Sequence, residues 1–181
     1  DVTREETKSI LSVLRAGYPN FYKDLNKADA DQIIDLWATM FVDEPVKVVI
    51  EAVKTLMVTA KFPPTIADVK EKIYLVTHPQ AMTEAEAWNI VKKAIGYYNA
   101  QEHFEALPPI LQKLVGSPNQ LREWGMMDMD EVNTIVASNF MRSYKARVQH
   151  EKETAMLPES TRAMIQGLSA KLSITDGKGE S

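Results

Sequence analysis

Three histidines, His78, His103 and His150, are the side chains of this sequence best suited to proton transfer or metal ligation. Each falls in a different expected element. None has a second histidine four residues away and there is no HExxH, so no helix face presents two ligands together. Glu102-His103 reads as an exposed histidine beside a helix end. The carboxylate pairs Glu84/Glu86 and Asp128/Asp130 stand at helix starts, where negative charge complements the helix dipole and caps free N–H groups. No GxxxxGK[ST] phosphate loop occurs, and seven scattered glycines are too few to build a backbone cradle for phosphates. Cysteine is absent, which removes disulfides, thiolate catalysis and Cys-ligated zinc together. No serine sits on a strand-to-helix elbow. The expectation is a protein that is not an enzyme, with no catalytic residue, no cofactor and no metal.

What remains is binding. Arg142, Lys145, Arg147 and Lys152 form a local basic stretch opposed by Glu151 and Glu153, and Arg142 and Lys145 lie three apart, close enough to share a helix face. Against a formal net charge of −4, those cations support at most a weak DNA contact. Trp124 follows a tight turn and precedes Gly125-Met126-Met127; it reads either as an anchor for a small core or as an interface anchor beside adaptable methionines. Residues 107–147 therefore form a helical surface with anchors and no chemistry. Pro118, Leu121, Arg122, Trp124, Arg142, Lys145 and Arg147 are the expected partner contacts.

The elements that position these residues all read as helix. Thr3 with Glu6 makes a capping box ahead of Ile10, Val13 and Leu14, and Gly17-Tyr18-Pro19-Asn20 ends that helix. Asn26 caps a helix through Ile33, Leu36, Trp37, Met40 and Phe41. Asp43 is the expected cap of a third, with Val46, Val49, Ile50, Val53 and Met57 on one face. Phe62-Pro63-Pro64 forces an extended corner before a second capping box, Thr65 with Asp68, and the stripe Ile66, Val69, Ile73, Val76. Thr83 and Glu86 cap a helix bearing Trp88, Val91, Ile95 and Tyr98. A short element around Phe104 follows, then Leu107-Pro108-Pro109 introduces Ile110, Leu111 and Leu114. Ser117-Pro118, a cap with proline at the first helical position, opens the helix to Trp124. Asp128 or Asp130 caps one long amphipathic helix in which Val132, Val136, Phe140, Tyr144 and Val148 recur every four residues. Trp37, Phe41 and Trp88 read as core.

No segment alternates long enough for a strand, so the fold class is all-α: an N-terminal helical bundle over residues 1–77, a linker at 78–82, and a C-terminal helical unit over 83–157. Pro158 ends or kinks the long helix; a weak helix through Met164 and Leu168 and a polar tail, SITDGKGES, expected to be disordered, make up residues 158–181. No apolar run nears the roughly 18 residues needed to cross a membrane, and DVTREETKSI does not read as a signal peptide. Cytoplasmic residence, without membrane contact, is expected.

YPNFYKDL (18–25), DLWATMF (35–41), AVKTLMVTAKFPPTIADVKEKI (52–73) and GSPNQLREW…ASNFMRSYKAR (116–147) together resemble the phage and prophage replicative-helicase loader/inhibitor family of Gram-positive hosts. The N-terminal resemblance covers about residues 3–76, with KFPPTIADVKEKI its most specific element, and the C-terminal block is similar to longer prophage members. The resemblance implies a protein without its own ATPase that binds the hexameric replicative helicase, holds it inactive and delivers it to an origin-bound phage initiator. Short members of the family have a folded helical N-terminal domain followed by a flexible helicase-contacting part. This chain departs from that pattern, because residues 84–156 carry strong helical periodicity: they are either a further folded domain or helices that form on the partner. Two other readings stand beside it, a replisome component using the 142–152 basic face on nucleic acid, and an inhibitor of the host helicase loader.

Overall fold

Local sequence sets where each helix starts. The computed structural model describes residues 2–176, and every regular element among them is helical. They form two compact units. The first runs to Pro79 and resumes from Lys152 onward; the second is Gln80–Glu151. Residues 152–157, expected in the C-terminal unit, thus group with the first.

The first unit contains α1 (Arg4–Gly17), α2 (Pro19–Tyr22), α3 (Lys27–Met40), α4 (Val46–Met57) and α5 (Ile66–Thr77). Helix α4 packs on α1 and α5, and α1 also packs on α3. Their apolar stripes meet in a core of Ile10, Leu14, Trp37, Phe41, Val49, Val53, Val69 and Ile73. Trp37 and Phe41 lie as expected, with ring centroids 5.2 Å apart. Leu36 and Val76, assigned to buried stripes from spacing, are instead exposed. Asp43 does not cap α4, whose N-cap is Pro45; its carboxylate accepts a hydrogen bond from the Glu159 N–H at 2.7 Å instead. That bond sits at the start of α12 (Glu159–Asp176), the helix expected around Met164 and Leu168. Helix α12 also takes in residues 173–176, the beginning of the segment expected to lack structure; the rest of that tail, residues 177–181, lies outside the described residues.

One polar pair is built into this core. Lys70, 5% exposed as a residue, donates from Nζ to Glu44 Oε1 at 2.6 Å and lies 4.9 Å from the centroid of Phe41. Glu44 Oε2 is buried without a hydrogen-bond partner. Removing one member of such a pair strands the other charge away from water, whereas replacing both removes the desolvation cost as well. Lys70→Ala is expected to lower the stability of the full chain by about 3 kcal/mol in urea unfolding, and Lys70→Met combined with Glu44→Gln to restore most of it.

The second unit contains α6 (Glu84–Ala94), α7 (Ala100–Glu105), α8 (Pro109–Val115) and α9 (Pro118–Met126). It also holds most of a continuous 28-residue helix made of α10 (Met129–Glu131), a π-helical segment (Val132–Val136) and α11 (Ala137–Met156). The π segment explains the four-residue stripe. In a uniform α-helix each step of four overshoots a full turn by about 40°, so the stripe would wind away from its neighbours. One wide turn resets it, and Val132, Val136, Phe140 and Tyr144 all face one core with Trp88, Val91, Leu111 and Leu121. Thr134 Oγ1 donates to the Asp130 carbonyl at 2.6 Å within this widened stretch.

Three capping boxes start α1, α5 and α6 as the sequence predicts. Glu6, Asp68 and Glu86 each accept a bond from the backbone N–H of the capping threonine, at 2.9, 2.8 and 2.8 Å. All three carboxyls are held below their ordinary range. For Glu6 and Glu86 the backbone N–H is the larger cause and the threonine hydroxyl the next; for Asp68 the hydroxyl leads. A depressed folded-state pKa means that this stabilisation is complete above the ordinary carboxylate pKa and is lost as pH falls through the depressed value. The Thr3→Ala/Thr65→Ala/Thr83→Ala variant removes the hydroxyl's share of this effect, so it should lose somewhat less Tm than the parent as pH falls below the ordinary carboxylate range, as read by circular dichroism.

Candidate functional site

The seven expected contact residues all lie in the second unit, four on α9 and three on α11. Helix α9 begins where Ser117 Oγ accepts from the Gln120 N–H at 3.3 Å, with Pro118 at the first position. Leu121 then points inward and is fully buried, so it holds α9 to the core and is not a surface contact. Arg122 is half-buried and has no carboxylate partner among the described residues. Trp124 divides its surface. One edge packs T-shaped against Trp88 at 6.5 Å between centroids, and the rest lines an open cleft of about 220 Å³ with Leu114, Val136, Asn139, Phe140 and Ser143. Trp124 therefore anchors the core on one side and stays open to solvent on the other. Asn139 and Ser143 supply the polar groups of the cleft, and the π segment delivers Val136 to its wall.

Further along α11, Arg142 and Lys145 line a second, wider groove of about 850 Å³ together with Met82, Thr83, Glu84, Tyr144 and Val148. Tyr144 fixes this groove by donating its hydroxyl to the Met82 carbonyl at 2.9 Å. Burial, reinforced by the charges of Glu86 and Glu151, pushes the Tyr144 phenol above its usual range, so it remains a neutral donor. Lys145 stands 3.7 Å from Glu84, and Arg147 is bonded to Glu151 at 3.0 Å within its own helix, outside the groove. Arg142 is exposed and free of a carboxylate among the described residues. The structure thus separates Trp124 and Arg142/Lys145 into two depressions served by one helix, and leaves Pro118, Arg122 and Arg147 in neither.

Spacing alone misses several exposed apolar side chains. Tyr97 and Tyr98 lie in the loop after α6, not on its buried face where spacing places Tyr98, and Met126, Met129 and Ile135 are also open to solvent. Gly96, which follows the helix C-cap Ile95 and directly precedes the tyrosines, is the available signal. In the first unit Phe21 and Phe62 form an exposed edge-to-face pair at 5.7 Å, at the corner made by Pro63 and Pro64. Among the described residues no group of His, Asp or Glu is arranged to hold a metal ion, and no helix is long and apolar enough to cross a membrane.

Leu121 and Trp124 should separate cleanly by substitution. Leu121→Ala, which opens a cavity in a closed site, is expected to cost about 3–4 kcal/mol in urea unfolding; Trp124→Ala, with one side already in solvent, should cost about 2 kcal/mol.

Residues 3–70 match the family model for the N-terminal domain of the gene 39 product of phage SPP1, a helicase loader/inhibitor. The match takes in the YPNFYKDL and KFPPTIADVK segments and stops before the second unit. No curated protein and no solved structure matches the chain. The matched family comprises non-catalytic phage replication proteins that interact with the replicative helicase. Residues 3–70 are therefore similar to the N-terminal domain of the phage helicase loader/inhibitor family, and the match covers 68 of the 181 residues.

Proposed function

We propose that this chain is a stoichiometric adaptor that binds the hexameric replicative helicase, holds it inactive and delivers it to an origin-bound phage initiator in the cytoplasm of the host cell. The observation that carries the reading is the family match over residues 3–70. The mechanism needs no chemistry from the adaptor. A protein that binds one conformation of a nucleotide-driven ring more tightly than another shifts the ring toward that state, and the ring's own hydrolysis cycle then supplies the energy for release.

The partner-contacting surface in this proposal is the face of α9 and α11 bearing Pro118, Arg122, Trp124, Arg142, Lys145 and Arg147. Its support is chemical. A half-exposed Trp beside an open cleft, unpaired arginines and solvent-facing Met126 and Met129 have the composition of interface anchors. Leu121 drops out of this set because it is enclosed. The Tyr144–Met82 bond and the Trp88–Trp124 contact hold the two depressions in shape before binding, which limits the ordering cost.

The test is co-elution of the full chain with the host replicative helicase, with and without ATP, alongside the helicase's ATPase rate. A complex in one nucleotide state and a reduced rate at saturating adaptor are expected; no complex in either state removes the proposal. Trp124→Ala and Arg142→Glu should each weaken the complex roughly tenfold or more while the helical circular dichroism is retained.

A further inference from the structure

The stretch that the sequence marks as basic is largely neutralised in the folded chain. Lys145 faces Glu84, Arg147 is bonded to Glu151, and Lys152 is paired with Glu71. Besides Arg142 and Arg122, further unpaired cations of the second unit lie on α6. Lys92 and Lys93, in the last turn of α6, are both exposed and neither has a carboxylate partner among the described residues. Four residues beyond Lys93 the chain presents Tyr97 and Tyr98, 58% and 81% exposed, their rings edge to face at 5.3 Å between centroids. Two adjacent phenol rings in solvent, four to six residues along the chain from two unpaired lysines, are the most exposed aromatic side chains among the described residues of this unit.

The loop that carries them is held in place by its backbone. The Gly96 N–H donates to the Leu121 carbonyl at 3.3 Å, and Gly125 lies so close that a Cβ there would stand 3.0 Å from the Gly96 backbone. Asn99 closes the loop in the left-handed conformation at φ 57°, and the His103 ring nitrogen Nδ1 lies 3.3 Å from the Ala94 carbonyl. Rings on a fixed loop lose little freedom when something stacks on them.

We propose that this corner binds a single strand of DNA, with the faces of Tyr97 and Tyr98 stacking on unpaired bases and Lys92 and Lys93 contacting the flanking phosphates. Every base has a π-face, so such a platform is tolerant of sequence, and a duplex, whose bases already stack on one another, offers it less. A protein partner fits the corner less well, because lysine, strongly hydrated, is depleted from protein–protein interface cores, whereas phosphate binds it as a point charge. The inference rests on residues outside the helicase-facing surface proposed above and stands or falls separately from it.

The test is fluorescence anisotropy of the full chain with a labelled oligothymidylate of about 20 nucleotides and a duplex of the same length, at low and moderate salt. Single-strand binding is expected at low salt and should weaken about 25-fold for a tenfold rise in salt if two phosphates are neutralised. Tyr98→Ala should weaken it about tenfold or more, and Lys92→Glu/Lys93→Glu should abolish it. Arg142→Glu/Lys145→Glu should leave the affinity unchanged. These side chains are exposed, and unchanged circular dichroism will show that the variants fold. Absence of binding at low salt, binding that the Tyr98 and Lys92/Lys93 variants leave intact, or equal affinity for duplex would each overturn the proposal. So would a Tyr97→Ala/Tyr98→Ala chain that loses helicase co-elution when the parent binds no oligonucleotide; that result marks a protein-docking loop.

Discussion

Short helices that cannot stand alone in water are the constraint from which the structure of both units follows. Between Arg4 and Met126 no helix exceeds 14 residues, a length at which even favourable sequences are marginally helical when isolated. Each must therefore cover an apolar stripe with a neighbour, and the stripes are narrow because helix ends come every dozen residues. Starts are fixed locally by capping boxes and proline corners. Burial does the rest: Val49, Val53 and Val69 in one unit, and Val91, Leu111 and Leu121 in the other, are enclosed almost completely. The Lys70–Glu44 pair is the exception to an apolar interior, and the aromatic face of Phe41 partly replaces the water it loses.

The long helix meets the same constraint differently. Its length gives it helical stability of its own, but its apolar residues come every four positions, a period no straight α-helix matches. The π segment at Val132–Val136 reconciles the two by inserting one wide turn where the stripe begins to bury. Wide turns of this kind expose backbone and side chains that a regular helix would hide, and recur at functional sites for that reason. Here the wide turn leaves Ile135 in solvent while Val136 forms the wall of the Trp124 cleft. The mismatch in period and the candidate binding surface have one origin.

Much of this is legible in the residues. All three capping boxes, the proline corners, the helical class and the core positions of Trp37, Phe41 and Trp88 follow from local chemistry, because a cap or a proline acts within four residues of itself. Tertiary exposure does not follow. Leu36, Val76 and Tyr98 satisfy helical spacing as well as Ile34 or Val69 do, yet a stripe only says which way residues point, not whether a neighbour lies there. Asp43 has the chemistry of a cap, but its carboxylate is used on Glu159, 116 residues away, a partner no local window contains. Leu121 reads as a contact from its place beside Trp124. It is three residues from it, on the same helix, yet Leu121 is enclosed while Trp124 lies at the rim.

Charge carries the same lesson into function. Basic residues clustered in sequence describe a potential only if their acids are elsewhere, and α11 brings its acids with it or finds them: Glu151 one turn on, Glu84 and Glu71 across space. Exposed pairs of this sort add little to stability, since solvent screens them and long side chains must be ordered to form them. Their larger effect is on recognition, because a paired lysine must give up its carboxylate before it meets a phosphate or a partner's acid. An arginine left unpaired, such as Arg142 or Arg122, has no such exchange to make. In a chain of net charge −4, where a cation is free matters more for recognition than how many cations there are.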